Sequence, residues 1–89
     1  MSDSMVELHA AYVKSLNNKA QRLTEALSSR DFEAIKQLGH QMKGSGATYG
    51  FPEISEFGAQ LEAAGEDRQS LVIESLIAEF KQRVTILQS

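Results

Sequence analysis

The sequence predicts an all-α fold: an antiparallel up-down-up-down four-helix bundle. Apolar residues recur at steps of three and four along nearly the whole chain, and no stretch keeps a period of two. The links between these stripes are only a few residues long, which favours antiparallel neighbours. The 89 residues contain one proline and no cysteine, so a single domain over 1–89 must be stabilised by regular, well-filled packing rather than by staples.

Each helix has its own signature. Val6, Val13, Leu16, Ala20, Leu23 and Leu27 form the first stripe, widened by Leu8 and Tyr12, and place a helix at about 4–27. The cluster Ser28, Ser29, Arg30 and Asp31 interrupts it, and Asp31 suits the N-cap of the next helix. Ile35, Leu38, Met42, Ser45 and Tyr49 carry the second, about 31–50. Pro52 fits a first helical position, and Glu53 and Glu56 suit the positive end of a third helix at about 52–64. Its stripe is Ile54, Phe57, Leu61 and Ala64, with Gly65 placed as its C-cap. Ile73, Leu76, Ile77, Phe80, Val84 and Leu87 define the fourth, about 68–88.

Composition excludes several classes. A net charge of −3 argues against general nucleic-acid binding, which needs a basic surface to displace phosphate counterions. No stretch approaches the apolar length of a membrane span, and the N-terminus lacks the pattern of a signal peptide. Without cysteine, zinc fingers, iron–sulfur ligation and thiol catalysis fall away. The chain is expected to be soluble and intracellular, in keeping with its lack of disulfides.

The second helix is poorly made for standing alone. Gly39, Gly44, Gly46 and Gly50 fall within twelve residues. The three interior glycines together cost roughly 2–3 kcal/mol relative to alanine. Either close packing or a surface that another molecule approaches must compensate. A phosphate-cradling P-loop is excluded, because the order is Lys43-Gly44-Ser45 and no strand precedes it.

His40 lies in this stretch, on the side away from Leu38 and Met42. Lys36, Gln37, Lys43 and Gly44 lie one turn from it. The exposed side thus combines an imidazole, two ammonium groups and a bare backbone patch. With the turn centred near Phe51, antiparallel packing sets His40 level with Glu62 and Gly44 level with Gly58. Gly58 opposite Gly44 would allow close backbone approach. Glu62 is placed to accept the imidazole Nδ1–H and so fix the tautomer with a free Nε2 lone pair. A turn near Ser29 brings Lys19 of the first helix to about the same level. Neutral imidazole is a competent nucleophile, and neighbouring cations offset the charge that a phosphoryl group adds.

The run Gly39-His40-Gln41-Met42-Lys43-Gly44-Ser45-Gly46-Ala47-Thr48-Tyr49-Gly50-Phe51 resembles the signature of histidine-containing phosphotransfer (HPt) domains. Leu61-Glu62-Ala63-Ala64 is similar to the family's third-helix motif, and Asp31-Phe32-Glu33-Ala34 to its second-helix start. The departures are Gly39 for a more usual alanine, Met42 for leucine and the added Gly46. The resemblance implies a cytoplasmic phosphocarrier, not an enzyme, a monomer with no metal site and no cofactor of its own. His40 would accept a phosphoryl group from the phospho-aspartate of a hybrid kinase's receiver domain and pass it to the aspartate of a response regulator's receiver. Lys43 would help neutralise the phosphoryl group, Gly44 would give the partner access, and Glu62 would bond the ring. Docking would involve Lys19, Lys36, Gln37, Gly44 and Ala47, with Tyr12 among the exposed positions.

The ending at Phe51 also resembles the phosphotransfer domain of chemotaxis-type kinases; the initial Met1 and compact length favour a stand-alone protein. A plain helical interaction module with an incidental His40 is the alternative from another class. His9 reads as a helix-end residue packing its ring edge. A di-metal bundle is excluded, since Gln37-x-x-His40 has no second pair.

Overall fold

In the computed structural model, residues 3–88 are described, with side chains from His9 to Gln88. The stripe positions Val6 and Leu8 lie outside the residues whose side chains are described. Four helices follow one another: α1 (Asp3–Ser28), α2 (Phe32–Gly46), α3 (Pro52–Glu66) and α4 (Ser70–Gln88). Each packs against its sequence neighbours and α1 closes on α4, while the diagonal pairs α1/α3 and α2/α4 bring no Cα atoms within 8 Å of each other among the described residues. This is the up-down-up-down bundle, 45 Å long and 21 × 16 Å across.

Its axis is filled by two or three fully buried side chains per helix: Leu16 and Leu23, Ile35 and Met42, Ile54 and Leu61, and Ile73, Phe80 and Val84. Each such burial contributes about 1.5–3 kcal/mol. These are the residues of the apolar stripes. Tyr12 is an exception to expectation: it is 7% exposed rather than a surface residue. Its ring stacks on Tyr49 at 4.5 Å and on Phe51 at 5.6 Å. Its hydroxyl lies 2.9 Å from Ser45 Oγ, and burial raises its pKa despite that hydrogen bond. Three-four spacing put Tyr12 at the edge of the stripe; the aromatic pair across the interface draws it in.

All three links close in the same way. After α1, Asp31 N–H donates to Ala26 O at 2.8 Å and Arg30 N–H to Leu27 O at 3.0 Å. The same two-bond pattern ends α3 at Arg68 and Gln69, and follows α2 at Gly50 and Phe51. It needs one residue in the left-handed region. Gly50 fills that position once, at φ 87°, and Arg30 and Arg68 fill it at φ 55°. This moves several boundaries. Gly65 is not the C-cap of α3; it is buried inside the helix, and Arg68 takes the left-handed position. Arg68 and Gln69 therefore belong to the turn before α4. Helix α2 ends at Gly46 and not near Gly50, because residues 47–50 form the turn. Asp31 caps α2, its carboxylate accepting Ala34 N–H at 3.1 Å.

The glycines separate into two kinds. A Cβ on Gly39 would lie 2.6 Å from Glu62 N and 2.7 Å from Gly58 O. One on Gly58 would lie 2.5 Å from Gly39 O and 2.8 Å from Met42 C. Gly46 is closed in by Ser55 and Phe51 O, and Gly65 by the Lys36 backbone. Helices α2 and α3 thus meet backbone to backbone along their length. Gly44 alone among the α2 glycines faces open space, with nothing within 4 Å of its Cβ position. The expected Gly44–Gly58 approach is therefore a Gly39–Gly58 approach. Gly58 also lies against the backbone of Met42 and Lys43, so the level was right to within a turn, but Gly44 points outward.

Candidate functional site

The close α2–α3 contact determines what stands beside His40. With the Gly39 backbone against the Glu62 amide, the Glu62 side chain emerges next to the ring one residue along. His40 Nδ1 lies 2.9 Å from Glu62 Oε2, and Lys43 Nζ lies 2.6 Å from Glu62 Oε1. One carboxylate thus holds both groups, one on each oxygen. Its pKa is lowered, chiefly by the Lys43 hydrogen bond and next by the His40 one. An ionised carboxylate only accepts, so Nδ1 is the donor in this bond, and in the neutral ring that leaves Nε2 with the lone pair. The His40 side chain is 69% exposed, against 27% for Glu62. The ring is therefore largely open to solvent while the carboxylate that holds Nδ1 is half-buried.

The second ammonium group has its own partners. Lys36 pairs with Glu66 at 3.0 Å and Glu33 at 3.5 Å. Its pKa is raised, first by the hydrogen bond to Glu66. Gly65 brings the end of α3 against the Lys36 backbone, and Glu66 follows directly. Both ammonium groups one turn from the ring are thus paired with carboxylates, Lys36 with Glu66 and Glu33 and Lys43 with Glu62. Lys19 supplies a different cation. Its Nζ donates to Gln41 Oε1 at 3.1 Å, bridging α1 to the residue after His40. Burial lowers its pKa, with Arg22 adding to the effect. Its hydrogen-bond partner is a neutral amide, so its charge is not cancelled.

Around these groups the surface is open. Gln37 and Ala47 are exposed, as expected, and Gly44 offers bare backbone one turn beyond His40. Lys36, Gln37, His40, Gln41 and Glu62 line a shallow depression of about 370 Å³. Ser55 is a contributor that sequence reasoning missed. Its hydroxyl donates to Lys43 O at 2.9 Å and accepts Ala47 N–H at 2.8 Å, bracing the backbone on both sides of Gly44. A serine one turn into α3 carries no local signal of this; only the α2–α3 register reveals it. Gln41 and the Tyr12–Ser45 pair were missed for the same reason.

His9 stands apart from this site, its ring edge against Phe51 at 5.6 Å. No helix among the described residues is long and apolar enough to cross a membrane.

A family model described as the Hpt domain matches residues 7–89, nearly the whole chain. No curated protein and no solved structure gives a significant match.

Proposed function

The chain belongs to the Hpt domain family, whose members carry phosphoryl groups on histidine in phosphorelays and interact with receiver domains; from that premise we propose that His40 Nε2 is the phospho-acceptor. The observation that supports this most is the Nδ1–Glu62 hydrogen bond on a ring that is largely open to solvent.

The proposed donor is the phospho-aspartate of a hybrid kinase's receiver, and the proposed recipient is the aspartate of a response regulator's receiver. The Nε2 lone pair attacks phosphorus, the P–N bond forms, and the acyl phosphate P–O bond breaks with the electron pair leaving on the donor aspartate. The Nδ1 proton stays on the ring, and Glu62 stabilises the cation so formed. Lys43 exchanges one oxygen of Glu62 for a phosphoryl oxygen, so its own charge is released from Glu62 as the phosphoryl group arrives. In the return step the P–N bond breaks towards the second receiver's aspartate, and the ring regains its lone pair. Gly44 leaves room for the receiver's pocket, and Lys19, Gln37 and Ala47 border the docking face. The chain acts as a phosphocarrier in the cytoplasm, without a cofactor of its own.

Incubation with a phosphorylated receiver domain tests the assignment. Wild type is expected to take up an acid-labile, base-stable label, and His40→Gln none. Equal labelling of the two would overturn it.

A further inference from the structure

The outward ridge of α4 lacks the charges usual on a solvent-facing helix. At about 100° per residue its core side is Ile73, Leu76, Ile77, Phe80 and Val84. The opposite side presents Leu71, Ser75, Ala78, Gln82 and Ile86, all exposed and all uncharged. Leu71 is 82% exposed and Ile86 62%, one near each end of the helix. Ser75, Ala78 and Gln82 lie between them.

Charge flanks this ridge asymmetrically. Glu74 and Glu79 lie in the N-terminal half, and Lys81 and Arg83 in the C-terminal half. None of the four forms an ion pair within the chain among the described residues. An acidic half followed by a basic half is self-complementary when two copies of a helix run antiparallel.

We propose that α4 pairs with α4 of a second copy of this chain, antiparallel about a twofold axis near Ala78 and Glu79. Leu71 then covers Ile86 of the second copy, and Ser75 meets Gln82 of the second copy. Ser75 and Ala78 let the two helices approach closely at the centre. On the flank nearer α1, Glu74 reaches Lys81 of the second copy, and on the flank nearer α3 Glu79 comes within reach of Arg83. Both contacts occur twice by symmetry. One helix ridge is a small interface, which places the dimer among weak, reversible associations. A dimer of this kind replaces the monomer expected from the sequence. Because α4 lies diagonally across the bundle from α2, both His40 faces point away from the contact and stay open.

Sedimentation equilibrium up to about 1 mM protein tests this, the upper end marking the weakest dimer counted as specific. The average mass of wild type is expected to rise with concentration from the 9.8 kDa of one chain towards twice that value. Ile86→Glu and Lys81→Glu should each weaken the association at least tenfold. The double variant Glu74→Lys with Lys81→Glu should regain it, because these two residues lie two turns apart in one chain and oppose each other only between copies. Label uptake at His40 should be the same in all variants, which reports intact folding. A constant mass of one chain across the range would overturn the proposal. Association indifferent to Ile86→Glu, or failure of the double variant to recover with label uptake intact, would overturn it as well.

Discussion

Gly39 and Gly44 lie five residues apart on one helix, yet alanine at the two positions should act with opposite sign. At Gly44 the new methyl group meets nothing within 4 Å. The variant gains only helix propensity, about 0.8–1 kcal/mol. At Gly39 the same propensity gain is available, but the Cβ would fall 2.6 Å from Glu62 N, 2.7 Å from Gly58 O and 3.1 Å from Glu62 Cα. All three are backbone atoms that cannot rotate away, so α2 and α3 must separate. Overpacking of this kind costs about 1–3 kcal/mol, and rigid backbone neighbours place it in the upper part of that range. After the propensity gain, Gly39→Ala should lose about 1–2 kcal/mol net, so the two variants differ by roughly 2–3 kcal/mol. Urea denaturation measures this directly, with an unchanged m-value showing that the same two states are compared. In a thermal melt a change of 1 kcal/mol moves the midpoint of a domain this size by about 4–8 °C, upward for Gly44→Ala and downward for Gly39→Ala. A stabilised Gly39→Ala or a destabilised Gly44→Ala would refute the division of the α2 glycines into packing and open positions.

Further predictions follow from the same geometry. Gly44→Glu should abolish phosphoryl transfer from a receiver while circular dichroism shows unchanged helix content; normal transfer rates would remove Gly44 from the docking face. Tyr12→Phe should cost about 0.5–1.5 kcal/mol in urea denaturation, since it deletes the hydroxyl that meets Ser45 Oγ. The lowered pKa of Glu62 means that its contribution to stability is present above the ordinary glutamate value of 4.5 and is lost as pH falls through the lower folded value. Glu62→Gln should therefore flatten the acid limb of the stability–pH profile, and an unchanged limb would show that the contacts with Lys43 and His40 do not persist in solution.

How much could be read beforehand differs from residue to residue. Leu16, Leu23, Ile35, Met42, Leu61 and Phe80 are legible because burial follows helical periodicity, and a stripe has only one side to turn inward. Asp31 is legible because capping is a contact between near neighbours. His40 stands out through its local company, and Glu62 through the level set by a short turn. Gly65 misled because glycine at a helix end usually serves as the left-handed residue, whereas here the chain spends it on close approach and puts Arg68 at φ 55°.

The sequence by itself determined four helices, their order, their inward faces and the pair His40 and Glu62, all of which depend on spacing along one chain or across one tight turn. Tertiary structure alone decided which glycines pack and which stays bare, that Lys36 turns to Glu66 while Lys43 shares Glu62, and that Tyr12 is buried. Each of these depends on the rotation of α2 against α3 and α1, which moves a side chain from one neighbour to another within a fraction of a turn. Periodicity defines the face of a helix only to within such a fraction. The backbone contacts at Gly39 and Gly58 remove that freedom, and with it the choice of what stands beside the imidazole.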